Sequence, residues 1–261
     1  MSARSFSMVL VTDDGPTRTL TLNNPARRNA IGPVMVNELL HALSDACESE
    51  GVRSIVLTGA GDAFCAGGDF GQMTGGGAAS ELPPKGDYAD LLLAVVNSPK
   101  PVIARVNGHA MGGGLGLVAA SHFAIGARGA KLGTPEINVG LFPMMIMAVL
   151  QRVMPRRRLV AMMLLGERID ADEAAGYGLL GAAVEAAELD GAVKKITDAI
   201  ASKSPVATRL GLEALAAQDD LDLEAALPLL RDRLAGILAT DDAREGLMAF
   251  LEKRPPKWQG R

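Results

Sequence analysis

Hydrophobic positions along the chain follow two periods, and the change from one to the other marks the architecture. Met8 to Asp13 and Thr17 to Leu22 alternate as strands do, and Asp14-Gly15-Pro16 between them predicts a hairpin. Asn23-Asn24-Pro25 then turns the chain. From Pro33 the period lengthens: Val36, Leu39, Leu40, Leu43 and Cys47 share one face of a helix that Gly51 ends. Ser54 to Gly59 is a short apolar run with the look of a buried strand, and Tyr88 to Val96 is helical again. Val102 to Val106 is a second buried strand. Asn107-Gly108 breaks it, and Gly112-Gly113-Gly114 opens a run of small residues, Leu115 to Ala120, that suits a buried helix. Further strands are predicted at Phe123 to Ala127, after which comes Lys131-Leu132-Gly133, and at Leu179 to Val184. Helices are predicted at Pro143 to Arg152, after Pro155, and from Asp170-Ala171-Asp172-Glu173, where an N-cap is followed by acids, to Gly176 or Gly178. From Glu188 onward the signals are helical: Glu188 to Ser202, Val206 to Ala217, Asp222 to Leu238 and Asp242 to Glu252.

Helices between strands predict parallel pairing in an α/β layer. The shift near residue 200 divides an α/β body, residues 1–200, from an all-helical end, residues 201–261, expected to pack on the body or on another subunit. No repeat recurs at a fixed period. The Gly-rich segment Gly71 to Ser80 is expected to be mobile.

Composition narrows the class. At 48% hydrophobic and 21% charged residues the chain is globular, and with only 3% aromatics its core must come from aliphatic residues and twelve Met. A net charge of −4 without a long basic run leaves nucleic acid no electrostatic footprint; Arg156-Arg157-Arg158 suits a solvated helix start. Cys47 and Cys65 form no CxxC, and neither a signal peptide nor a long apolar span is present in the sequence, which predicts a cytoplasmic protein off the membrane. His41, His109 and His122 lack metal-ligand spacing, so no metal is expected.

The chemistry lies in the glycines. A dinucleotide fingerprint is ruled out because Phe64 and Leu117 stand where a third glycine belongs. Two glycine-rich segments follow buried strands: Asp62 to Phe70, and Asn107 to Gly116. If those strands neighbour each other in parallel, one backbone N–H from each loop can meet on a single oxygen as an oxyanion hole; the competing account is two tight turns in close packing. Glu136, in Gly133-Thr134-Pro135-Glu136-Ile137, is either an acid at a helix start or a buried carboxylate poised to move protons.

At these residues the sequence closely resembles the crotonase superfamily, the enoyl-CoA hydratase/isomerase family. The matching pieces are Asn24 to Ala30, Ala63 to Asp69, Val106 to Gly114, Gly133 to Leu141, Leu165 to Ile169 and Phe250 to Arg254, in the family's order over nearly the whole chain. The resemblance implies an α/β crotonase-like spiral of ββα repeats with a C-terminal helical trimerisation region, assembled as a homotrimer or a dimer of trimers. It implies an acyl-CoA thioester substrate, with coenzyme A part of the substrate and no separate cofactor. The N–H groups of Gly68 and Gly113 would form the oxyanion hole, with Glu136 as proton-transfer residue. Arg28 and Ala30 would border the CoA phosphates. Ala66, Gly67, Gly68, Asp69 and Phe70 would line the adenine and pantetheine path; Gly112, Gly113 and Pro135 would be among the substrate- and CoA-binding residues; and Phe250 and Lys253 would reach CoA, across subunits if need be.

One position departs from the family. Two-glutamate hydratases carry a glutamate three residues past the second glycine of the triplet, and here that residue is Gly116. Hydration commonly divides its protons between two carboxylates, whereas moving a double bond needs one base that removes a proton and returns it nearby. Glu136 alone therefore leans toward isomerisation, although some sequences called hydratases share the same glycine form, and Glu81 or Asp87 could supply an acid. Gly116 is expected to leave room for a bulky acyl group, with Met144, Met145 and Met147 as an adaptable lining. A hydrolase or decarboxylase of the same superfamily, and a non-catalytic acyl-CoA-binding protein, are the other functions this pattern allows.

Overall fold

A computed structural model describes residues 4–73 and 80–261. Most of the expected mobile segment, residues 74–79, lies outside the described residues.

The predicted hairpin forms: β1 (Val9–Asp14) and β2 (Thr17–Leu22) pair antiparallel from Val9↔Leu22 to Asp14↔Thr17. A 3-10 turn over Pro25–Arg27 leads to α1 (Pro33–Glu48), which begins with Pro at its first position, where a missing N–H costs nothing. β3 (Ser54–Gly59) follows, then the short β4 (Ala63–Cys65) and one helical turn, α2 (Phe70–Met73). Next come α3 (Tyr88–Val96), β5 (Val102–Val106), β6 (His109–Met111) and α4 (Gly113–Ala120). The third such unit is β7 (Phe123–Ala127), β8 (Lys131–Gly133), a 3-10 turn over Pro135–Val139 and α5 (Met144–Val153). The body closes with α6 (Arg156–Leu165), β9 (Arg168–Asp170), α7 (Ala171–Gly176), β10 (Ala182–Val184) and α8 (Leu189–Ala201).

Three successive turns of strand, short strand and helix thus wind into a spiral. Their long strands join a six-stranded sheet in the order β1-β2-β3-β5-β7-β10, parallel apart from the hairpin. Their short strands join a second sheet, β4-β6-β8-β9, parallel except where β9 runs back along β8. Because the large sheet is covered on both faces, its central strands are apolar in both directions. Ile55, Leu57, Val102, Ala104 and Val106 face the main core with α1, α3 and α4, while Val56 and Ile103 face Leu189 and Val193 of α8.

One strand is shorter than the sequence predicts. Leu179 and Leu180 are buried, but their amides both turn back to the Ala174 carbonyl and finish α7, so β10 starts only at Ala182. The remaining helices are α9 (Pro205–Gln218), α10 (Leu223–Leu238) and α11 (Asp241–Leu251). They bury little of their own: Leu223, Leu227, Leu234 and Leu238 on α10 and Phe250 and Leu251 on α11 are exposed. Arg152 pairs with Asp219 and Asp220, and Trp258 Nε1 donates to the Ser202 carbonyl at 2.8 Å, tying this end to the body. No helix among the described residues is long and apolar enough to cross a membrane.

Candidate active site

β4, β6 and β8 are neighbours in parallel, so their C-terminal ends open on the same side. Each leads within three residues to one of the groups singled out in the sequence: Cys65 to Gly68, Met111 to Gly113, Gly133 to Glu136. β3 and β5 do pair in parallel as expected. The loops meet, however, at the ends of the three-residue strands interposed after them, which are too short to leave a periodic signal.

The first loop is held by backbone pairing and by an ion pair between buried Asp69 and exposed Arg27. Ile31 N donates to Gly67 O and Asp69 N to Ile31 O, both at 2.8 Å, and Ala66 N donates to Arg28 O at 2.9 Å. Asn29, fully buried, gives its amide to the carbonyls of Ala60 and Ala63 at 2.9 Å, which pins the Arg28-Asn29 pair in left-handed backbone. Asp69 is only 3% exposed and binds Arg27 through both carboxylate oxygens at 2.7 Å. Burial pushes the Asp69 carboxyl up, but Arg27 and the amides of Gln72 and Gly71 outweigh it and hold it below the usual range. Cys65 beneath the loop is buried, which drives its thiol up to about 12 and leaves it no thiolate for chemistry.

The second loop is set by Gly112. Its φ of 49° and ψ of −122° suit glycine, and its N–H donates to Gly133 O at 3.0 Å. α4 starts at the next residue, so the Gly113 amide sits at a helix N-terminus with the helix dipole behind it. The N–H groups around the two loops are engaged: Gly67 N with Cys65 Sγ, Asp69 N with Ile31 O, Gly112 N with Gly133 O. Among the described residues, those of Gly68 and Gly113 donate to no protein acceptor.

Glu136 leaves the 3-10 turn after β8. Thr134, buried, donates its hydroxyl to Met162 O at 3.1 Å, and Leu141 N donates to Glu136 O at 3.0 Å, fixing both sides of the residue. Its side chain is half-buried, and Oε2 is buried without a hydrogen-bond partner. Burial raises its pKa above the ordinary carboxylate value, opposed only by its own backbone amide.

Gly68, Gly113 and Glu136 line one cavity of about 450 Å³. Its walls are mainly apolar: Ile31, Pro33 and Val36 on one side, Leu141, Phe142, Pro143, Met144, Met145 and Ile146 on the other. Met147 turns instead into the core. Gly116 does not open onto this space. A Cβ there would lie 2.4 Å from the Tyr88 hydroxyl and 2.4 Å from Ile146 Cγ2, so the room expected above Gly116 is already occupied. Tyr88 is the site residue that the sequence reading missed. It belongs to the helical pattern of α3, and spacing cannot show that its hydroxyl reaches Gly113 O, at 2.5 Å, across 25 residues.

Apart from Asp87, the other predicted residues are placed around this centre rather than in it. Ala30, Ala66, Gly67, Asp69, Gly112 and Pro135 sit in the adjoining backbone, and Phe70 begins α2. Arg28 is exposed on the rim segment, while Phe250, 80% exposed, and Lys253 lie at the end of α11 and do not line the cavity. Glu81 borders a separate pocket beside Glu38 and Ser7, whereas Asp87 is exposed and lines the same cavity as Glu136, its Oδ1 accepting from the amides of Ala89 and Asp90. His41, His109 and His122 each make a structural bond, to Pro83 O, Lys131 N and Val102 N. No cluster among the described residues has the ligands to hold a metal ion.

Comparison with known proteins bears on the family and the fold. The sequence pattern of "Enoyl-CoA hydratase/isomerase" matches residues 17–261. The Mycobacterium tuberculosis protein named enoyl-CoA hydratase EchA19 is 32% identical over 262 residues, covering 97% of this chain and 96% of that protein. The human mitochondrial enoyl-CoA hydratase domain-containing protein 3 is 34% identical over 248 residues, 92% of this chain and 80% of that one. The crystal structure of an enoyl-CoA hydratase from Bacillus anthracis superposes with a TM-score of 0.89 at 31% identity, covering 98% of this chain and all of that one.

Proposed function

The chain belongs to the enoyl-CoA hydratase/isomerase family, and from that premise we propose that it binds an enoyl-CoA thioester, stabilises its enolate and moves the double bond between carbons 3 and 2. The observation that carries this is the meeting, in one cavity, of two unengaged amides and the half-buried Glu136 carboxylate, one of whose oxygens is buried without a partner. The thioester carbonyl accepts hydrogen bonds from Gly68 and Gly113, which strengthen as charge develops on its oxygen. Glu136, ionised, removes a proton from carbon 2; the electron pair spreads into the enolate and the neighbouring double bond. The same carboxyl then returns the proton to carbon 4. A raised pKa suits this traffic, because a carboxyl that holds its proton more tightly is the better base and still gives the proton back.

Arg28 and the Ala30 backbone border the CoA phosphates in this reading, the strand of loop from Ala66 to Phe70 follows the adenine and pantetheine, and Phe250 and Lys253 close over CoA from a neighbouring subunit. The exposed leucines of α10 and α11 support assembly as a trimer or a dimer of trimers.

Hydration is the second reading, favoured by the names of the relatives. Incubation with linear and branched 2-enoyl- and 3-enoyl-CoA separates the two. Isomerisation leaves the mass unchanged and moves the double bond; hydration adds one water. Release of free CoA, followed with a thiol reagent, would instead mark a hydrolase, and tight binding without turnover of any ester would mark a binding protein.

A further inference from the structure

The position three residues past Gly113 has no side chain, and other residues have taken its space. The Tyr88 hydroxyl and Ile146 Cγ2 both stand 2.4 Å from where a Cβ on Gly116 would be, and both residues line the cavity that holds Glu136. Tyr88 is fixed from two directions. It is the first residue of α3, whose start is locked by a reciprocal capping box between Asp87 and Asp90. Its ring lies along Gly113, with Cζ 3.4 Å from where a Cβ would sit there, and its hydroxyl donates to Gly113 O at 2.5 Å.

This engagement decides what the phenol can do. Its one proton is held by the Gly113 carbonyl, so it has none to give to a substrate carbon. Burial first, then the neighbouring Cys65 and Glu136, push its ionisation well above the ordinary tyrosine range, so it does not act as a base near neutral pH either. A carboxylate at the same place would do the opposite: it would bind water and take a proton from it.

We propose that Tyr88 is the specificity-determining residue of the site. It fills the seat of a second carboxylate with a neutral, hydrogen-bonded ring and so restricts turnover to proton transfer through Glu136. Together with the Ile146 methyl it walls off the place from which water would be held against carbon 3, and the product is a shifted enoyl ester rather than a hydroxyacyl ester. This inference rests on the isomerisation reading above.

Product analysis of Tyr88→Phe, Tyr88→Leu and Tyr88→Ala beside the unmodified enzyme tests it, with 3-enoyl- and 2-enoyl-CoA as probes. The unmodified enzyme should give products of unchanged mass. Tyr88→Ala opens the seat, and the fraction of product carrying one added water should rise at least tenfold. Tyr88→Leu, which keeps part of the apolar volume should Tyr88→Ala fail to fold, should move the ratio the same way. Tyr88→Phe keeps the wall but frees Gly113, so kcat should fall several-fold with KM little changed and no added water. A tyrosine that merely supports the fold would lower all products together, and an unchanged product ratio in the Ala and Leu variants overturns the assignment while leaving the isomerisation reading intact. Hydration as the main reaction of the unmodified enzyme overturns both, as does a failure to turn over either ester.

Discussion

Glu136 Oε1 lies 2.7 Å from the point that a Cβ on Gly112 would occupy. The carboxylate therefore rests against the backbone of the loop whose next amide belongs to Gly113, and two parts of the site are set by one contact. Gly112→Ala would meet both this crowding and a φ of 49° that L side chains rarely adopt. We expect it to lower stability by about 1–3 kcal/mol, the range for overpacking and forced backbone strain. Turnover should fall further than stability explains, because Glu136 must move. Urea unfolding and steady-state kinetics on the same preparation check the two effects separately.

Glu136→Gln removes the proton carrier and keeps the shape. Turnover should drop by orders of magnitude while binding of an acyl-CoA ester, followed by calorimetry, stays nearly intact. Retained activity would disprove the assigned role.

The same variant has a stability signature with a definite sign. A carboxyl whose pKa is raised by folding binds more protons in the native than in the unfolded chain, between the unfolded value and the higher native one. Native stability thus declines as pH rises through that window, and above it the cost of ionising Glu136 is fully present. Glutamine carries no such cost. Its Tm should match that of the unmodified protein in acid and exceed it near neutrality by roughly one or two degrees. A Tm difference that shrinks as pH rises would contradict the burial argument.

Asp69 behaves in the reverse sense. Arg27 and the loop amides hold its pKa below the ordinary value, so the stability it contributes is complete above that value and is lost as pH falls through the native one. Arg27→Met leaves a carboxylate that is 3% exposed without its ion partner and should cost about 1–2 kcal/mol near neutral pH, below the upper range for hydrogen bonds to charged groups because Arg27 itself is 56% exposed and screened by solvent. In strong acid the deficit should vanish. Chemical denaturation at two pH values distinguishes this from a general loss of packing.

The α10 leucines give a prediction about assembly. Leu223, Leu227, Leu234 and Leu238 recur at helical spacing on one exposed stripe. Light scattering should report three or six chain masses, and Leu227→Asp combined with Leu234→Asp should reduce that mass. A single-chain mass for the unmodified protein would refute the assembly.

Much of this site could be read from the sequence, and the part that could not has specific physical causes. Gly68, Gly113 and Glu136 are flagged by glycine spacing and family resemblance, and the structure collects them in one cavity. β3, β5 and β7 are visible because each is an apolar run buried on both faces. β4, β6 and β8, which bring the three loops together, have only three residues each and no period to detect. The ββα spiral has no fixed sequence period because its strands begin at Ser54, Val102 and Phe123, at unequal spacing. Gly116 misleads for a related reason: a missing side chain suggests space, and only the fold shows that Tyr88 has entered it.

The parallel pairing of β3 with β5 also bears on how the site comes together during folding. Parallel neighbours must be joined by a long crossover, and closing such a loop costs entropy before its contacts form. Neither the Gly68 amide nor the Gly113 amide has a partner loop until that crossover has closed. Upon dilution from denaturant, helical circular dichroism should therefore return before turnover does, and the interval between them measures the assembly of the spiral.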